Sequence, residues 1–212
     1  MAKKLTEDKI TEILETGIRE FADCGYDGAN TNTIAEKAGI SVGVLFKYFA
    51  DKESFFLACL DRSTDILKSV LSEVEASEGD SRDRAEKLFR TLIRFSRSHG
   101  DHIRMYQMIS SGSNKKLTEK LANEIEGVSA QVYRQYIARA QESGELRSDI
   151  SPEKAAFFFD NLLMMLQFTY SCDYYRQRLK MYTGTDADDE SADEAMIEAL
   201  LRFVDGALGS GK

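Results

Sequence analysis

Apolar residues recur every three or four positions along most of this chain, the spacing of one buried helix face. Ile10, Leu14, Ile18 and Phe21 form the first such stripe and predict a helix over 6–24. Thr6 stands where a cap belongs, and Glu7 and Asp8 suit the positive end of the helix dipole. Gly25 ends it, and Asn30 or Thr31 opens a short helix to about 38. Gly39 stops that helix, and Ser41 caps another short one. A much longer helix over 51–76 carries Phe56, Cys59, Ser63, Ile66, Val70 and Val74 at helical spacing. Turns at 77–81 and 110–114 bracket helices over 82–98 and 101–110. Leu117, Leu121, Ile125, Val128, Val132 and Tyr136 then mark one long helix to about 141, which Gly127 weakens. Ser151, Pro152 and Glu153 start a helix over 152–181 that is apolar on nearly every face from Phe157 to Phe168. Ser191 and Glu194 have the spacing of a capping box for a last helix, 192–208. The expectation is an all-α chain of about nine helices, in keeping with a single proline in 212 residues.

Within this pattern the stretch "NTNTIAEKAGISVGVLFKYFADKE" stands apart. Ala35, Gly39 and Leu45 follow one another at intervals of four and six. Two helices that cross steeply need a small side chain where they touch, a turn residue that accepts positive φ, and an apolar inward face on the second helix. Ala35, Gly39, and Leu45 with Phe49 meet those needs, packing on Ile34 and Ala38. An ordinary helical hairpin satisfies the same spacing. The longer pattern "IA..AG.S.G....YF..KE", with "GYDGA" and the stripe before it, resembles the TetR/AcrR family of bacterial repressors over about 45–50 residues. Beyond residue 60 only length, helical texture and element order agree.

That resemblance implies two domains: a three-helix helix-turn-helix DNA-binding domain, 1–50, and a larger helical effector-binding and dimerisation domain, 51–212. It implies a homodimer on a palindromic double-stranded DNA operator, with the third helix in the major groove. Carried over by position, Thr31, Asn32 and Thr33 lie near the phosphates. Ser41, Val42, Gly43, Val44 and Lys47 face base edges or the adjacent backbone, and Tyr48 and Lys52 contact phosphate. Phe46 stands where many members have Tyr, which removes one phosphate donor. Few polar groups then face the groove, so reading leans on shape and apolar contact.

The formal net charge of −8 argues against a protein that coats nucleic acid without specificity. Specific binding then needs a few placed cations, and Lys3, Lys4, Lys37, Lys47 and Lys52 are the candidates if the acids of the first helix point away. For the second domain, flexible Met and amphipathic Tyr suit a site for a small apolar or aromatic effector. Arg104, Met105, Tyr106, Met108, Ile109, Tyr133, Phe157, Asn161, Met164, Met165 and Phe168 are its candidate lining, with Gln107 as a further polar anchor; plain core packing competes at each position. Leu163, Leu166 and Tyr170, with Ile197, Leu200, Leu201 and Val204, are candidates for a four-helix dimer seam. The three cysteines are far apart and read as reduced thiols of a cytoplasmic protein. The start "MAKKLTEDKI" has no apolar run, and the apolar stretch at 157–168 is too short and too polar to span a bilayer, so no membrane role is expected. No phosphate loop, GxSxG or HExxH motif occurs, and no enzyme activity, cofactor or metal is expected. His99, Asp101 and His102 read as capping or solvated groups rather than metal ligands. The rival reading is a helical enzyme or adaptor without a DNA role.

Overall fold

The computed structural model describes residues 5–75, 79–112 and 115–211. Among the described residues there are eleven α-helices and no strand. They are α1 (Glu7–Gly28), α2 (Thr31–Lys37), α3 (Val42–Tyr48), α4 (Lys52–Glu75), α5 (Ser81–Ser98), α6 (Gly100–Ser110), α7 (Lys115–Leu121), α8 (Gly127–Glu142), α9 (Pro152–Ser171), α10 (Asp173–Thr183) and α11 (Asp193–Leu208). The count exceeds nine because two expected helices are broken. A π-helical turn, Ala122–Glu126, runs up to Gly127 and separates α7 from α8. Cys172 adopts extended backbone (φ −114°, ψ 129°) and stops α9. That break seats Cys172 beside Phe168, Phe95 and Ile103 in a small cluster of their own. Lys3 and Lys4, residues 77–78 of the turn at 77–81, and residues 113–114 of the loop at 110–114 lie outside the described residues, as do the side chains of Leu121, Ile125 and Val128.

The helix ends follow local chemistry, with two corrections. Thr6, Asn30 and Ser41 each accept a hydrogen bond from the first turn of the helix they precede. Ser191 and Glu194 do not form a capping box. Ser191 instead donates to Asp189 in a 3-10 turn, and Glu194 pairs with Arg90. Ser151 makes no side-chain cap bond to the backbone, so Pro152 and Glu153 in the first turn mark the start of α9.

Two large cores result. One joins α1, α2, α3 and the first half of α4 with Met105 and Ile109 of α6. The other joins the end of α4 to α5, α8, α9 and α11. Helix α1 lies against both α4 and α6, and the contact with α4 is close. A methyl group on Gly17 would sit 2.4 Å from Cζ of Phe55 and 2.9 Å from Sγ of Cys59, and Phe55 and Cys59 are fully buried. The Cys59 thiol donates to the Leu14 carbonyl at 3.6 Å. Burial pushes that thiol well above its usual pKa.

Beside this contact lies a polar joint. Arg62 of α4 donates to Glu15 of α1 at 2.5 Å, and His102 Nε2 of α6 lies 3.1 Å from the other Glu15 oxygen. The second ring nitrogen of His102 meets Ser63 Oγ at 2.9 Å. His102 is buried, contrary to its reading as a capping or solvated group. Among the described residues no group of three metal-binding side chains occurs. Burial is the main influence on His102 and lowers its pKa, outweighing the pull of Glu15. Burial alone would raise the Glu15 carboxyl, but hydrogen bonds and charge from Arg62 and His102 hold it below its ordinary value.

Both depressed pKa values mean that the unfolded chain binds more protons, so stability is lost on acidification. The His102 share is lost as pH falls below the ordinary imidazole value, and the Glu15 share below the ordinary carboxylate value. The urea midpoint is therefore expected to fall between neutral and mildly acidic pH, and His102→Gln should flatten that fall. Gly17→Ala is expected to overpack the α1–α4 contact and cost about 1–3 kcal/mol, measured by urea unfolding followed by circular dichroism.

Candidate nucleic-acid interface

The turn between α2 and α3 is built on Gly39, whose φ of 66° favours glycine on backbone grounds alone. The Gly39 amide donates to the Glu36 carbonyl at 3.0 Å and the Ile40 amide to the Ala35 carbonyl at 2.9 Å, which closes α2 tightly. Ile34, Ala35, Ala38 and Leu45 are buried where the helices meet. Phe49 stacks edge-on against Phe55 with ring centroids 4.9 Å apart, fixing the exit of α3 onto α4. This packing sets which side of α3 faces out.

Gly43, Phe46 and Lys47 are exposed on that outer side, and Val42 and Val44 are half-buried beside them. Lys47 has no ion pair among the described residues. Residues 39–50 contain no carboxylate to offset it. A methyl group at Gly43 would meet only Ser41 Oγ, at 3.9 Å, so the fold itself does not demand glycine there. Ser41 Oγ accepts from the Val44 amide at 3.2 Å and is occupied as a cap. Tyr48 Oη accepts from the Leu5 amide at 2.6 Å, which leaves its own proton free to donate outward. Lys52 donates to the Asp27 carbonyl at 3.3 Å and lies over the Tyr26 ring, which positions but does not neutralise its charge. Asn32 is exposed on α2, with Thr31 and Thr33 half-buried.

Lys37 corrects the expected cluster of cations. It pairs with Glu20 at 2.8 Å, and Glu20 is buried in α1 rather than pointing away. The hydrogen bond from Lys37 is the main reason the Glu20 carboxyl stays below its ordinary pKa. Lys37 is therefore a brace between α1 and α2.

A cavity of about 70 Å³ lies between α4, α5, α6, α8 and α9. Tyr106, Tyr133, Met164 and Phe168 from the expected set line it. The others are not brought there. Met105 and Ile109 are buried in the core shared with α1. Met108, Phe157 and Met165 are exposed. Arg104 pairs with Asp101 and Asp23, and Asn161 donates to the Phe157 carbonyl one turn back. Gln107 does not line the cavity either. The polar groups that do are Ser63, His102, Glu126, Ser129, Asp160 and Gln167. Of these Asp160 and Gln167 leave a signal in the sequence, as polar groups interrupting the apolar stretch at 157–168.

The seven residues expected at a dimer seam also turn inward. Leu163, Leu166, Tyr170, Ile197, Leu201 and Val204 are buried in the chain's own core, and Leu200 packs half-buried against it. The opposite faces carry the exposed apolar groups: Phe158 of α9 and Phe203 of α11 are 59% and 65% exposed. Helical periodicity gave α9 and α11 two apolar faces, and periodicity alone could not say which one the chain itself covers. No helix among the described residues is long and apolar enough to cross a membrane.

Residues 13–59 match the family model described as bacterial regulatory proteins, tetR family. Over 62 residues the chain is 42% identical to the HTH-type transcriptional repressor AcnR of Corynebacterium glutamicum, covering 29% of this chain and 33% of that protein. It is 32% identical over 78 residues to the HTH-type transcriptional activator FasR of Mycolicibacterium smegmatis, covering 37% of this chain and 36% of that protein. These matches span about a third of the length of such relatives. Across nearly the whole chain the fold is that of AibR, solved in complex with isovaleryl coenzyme A and operator DNA. The TM-score is 0.68 at 18% identity, over 92% of this chain and 97% of that one. Residues 13–59 thus carry a helix-turn-helix that matches the tetR family of bacterial regulatory proteins, and the backbone across nearly the whole chain has the fold of AibR.

Proposed function

We propose that this protein is a ligand-responsive, homodimeric DNA-binding regulator of the cytoplasm, acting as a repressor that leaves a palindromic operator when a small molecule binds its second domain. The observation that carries this reading is the outer side of α3. It presents Val42, Gly43, Val44 and Lys47 from a stretch, residues 39–50, that contains no carboxylate, and it is turned outward by buried Ala35 and Leu45 on either side of the Gly39 turn. Gly43, which the fold does not require, lets a duplex approach the backbone closely. The valines suit thymine methyl groups, and Lys47 suits guanine or phosphate. Tyr48, Lys52, Ser41 and the start of α2 at Thr31, Asn32 and Thr33 flank this surface and supply phosphate contacts. AcnR, named a repressor, supports the sign of the regulation.

Residues 1–50 form the DNA-binding domain in this reading, and 51–212 the effector and dimer domain. The two are coupled because α4 starts directly after the recognition helix and also lines the cavity through Ser63 and Leu67. His102 lines the same cavity and touches Glu15 of α1. A cavity of about 70 Å³ holds several waters, so a larger effector has to displace its walls, and with them α4 and α6. A differential affinity of about 1–3 kcal/mol between the two arrangements changes operator affinity roughly 5- to 150-fold. Two copies then join through the exposed sides of α9 and α11, around Phe158 and Phe203, and set two recognition helices about 34–36 Å apart.

The reading is tested by gel shift on the DNA that flanks the protein's own gene. Lys47→Ala should weaken binding and lower the slope of log affinity against log salt by about one, with helix content and dimerisation unchanged. Retention of full affinity by Lys47→Ala and by Tyr48→Phe together would favour a helical adaptor instead. Phe203→Asp should convert the dimer to monomer in sedimentation velocity and weaken operator binding, whereas the buried Leu201→Asp should unfold the second domain.

A further inference from the structure

The charge inside the cavity specifies its ligand more narrowly than its apolar walls do. Two carboxylates line it, Asp160 from α9 and Glu126 from the π turn before α8. Among the described residues neither Lys nor Arg lines it with them. The remaining titratable groups facing it are Tyr106 and Tyr133, both pushed up by burial, and His102, which burial keeps toward its neutral form. Glu126 accepts a hydrogen bond from the Tyr106 hydroxyl, so that oxygen is partly compensated. Asp160 makes no hydrogen bond or ion pair among the described residues. Burial, with the Glu126 charge beside it, pushes Asp160 up to about 6. Asp160 is half-buried, and a carboxylate partly withdrawn from water beside a second one favours a cation that would offset both charges.

The walls around these charges are aromatic. Tyr106 and Phe168 stand with ring centroids 6.1 Å apart, and Tyr133 and Phe95 line the cavity with them. Ring faces attract cations, most strongly where water is excluded. An anion entering here would meet two like charges and no donor stronger than a hydroxyl, amide or imidazole.

We infer that the effector of this regulator is a small organic cation, an aromatic or aliphatic ammonium whose charge is seated between Asp160 and Glu126 and whose apolar part lies against Tyr106, Tyr133 and Phe168. This rests on the reading of the protein as a ligand-responsive regulator and names the class of ligand. His102 of the same wall reaches Glu15, so seating a cation beside it disturbs the joint that carries the DNA-binding domain.

The test is isothermal titration of the full-length protein with benzyltrimethylammonium, with benzyl alcohol and phenylacetate as the neutral and anionic counterparts. Saturable binding of the ammonium at millimolar concentration or below is expected, with weaker binding of the alcohol and none of phenylacetate. Asp160→Asn should weaken ammonium binding about tenfold or more, and Glu126→Gln should weaken it less because Tyr106 already shares that charge. Circular dichroism establishes that both variants are folded. Absence of ammonium binding, binding of phenylacetate as tight as that of the ammonium, or indifference to both substitutions would each overturn the inference. A parallel gel shift separates the two claims. Operator binding that persists without any ammonium effect removes the ligand class alone, whereas ammonium binding by a protein that ignores DNA removes the regulator reading.

Discussion

The structure depends on how closely α1 can approach α4. Gly17 leaves room for the Phe55 ring and the Cys59 thiol, and that contact fixes α1 on the first half of the longest helix in the chain. From there α2 and α3 are positioned by Phe49 on Phe55, and α6 by Met105 and Ile109 in the same core. One helix thus carries the helix-turn-helix at its start and the second core at its end. A displacement of its middle, where Ser63 and Leu67 border the cavity, reaches both ends because a packed helix moves as a body.

Polar groups add direction to this apolar frame. Glu20 is buried and accepts hydrogen bonds from Lys37, the Asn30 amide and the Cys24 thiol, and the first two lock α2 to α1. Glu15 joins three helices by accepting from Arg62 and lying against His102. Removing Lys37 leaves the buried Glu20 carboxylate with one fewer donor, which costs more than an exposed bond would. On the far side, Arg97 binds Asp193 through two hydrogen bonds and the Ala187 carbonyl, tying α5 to the start of α11.

Much of this was legible in the sequence, for definite reasons. The helix-turn-helix could be read because its demands are local: a small residue at Ala35, positive φ at Gly39 and an apolar Leu45 all lie within eleven positions. Helix spans were legible wherever one stripe was apolar, as in α1, α4 and α5. Reading failed where the answer depends on distant partners. Nothing near Lys37 in sequence predicts Glu20 as its mate, and nothing near His102 predicts Glu15. In α9 an all-round apolar pattern hid the choice between core and surface, so Leu163 and Leu166 were assigned outward while Phe158 went unnoticed. The cavity lining suffered likewise, since its carboxylates come from the π turn and from α9, which only folding brings together. The break at Cys172 has no local breaker such as glycine or proline; it follows from packing against Phe95 and Ile103.

Cys59 gives the molecule a reporter of its own. Its sulfur faces Gly17 across the α1–α4 contact, and burial keeps it in the unreactive thiol form. Alkylating reagents can reach it only when α1 lifts away, whereas Cys24, which is exposed, is open to them at all times. The ratio of labelling rates at these two positions therefore clocks how often the α1–α4 contact opens, without any added probe.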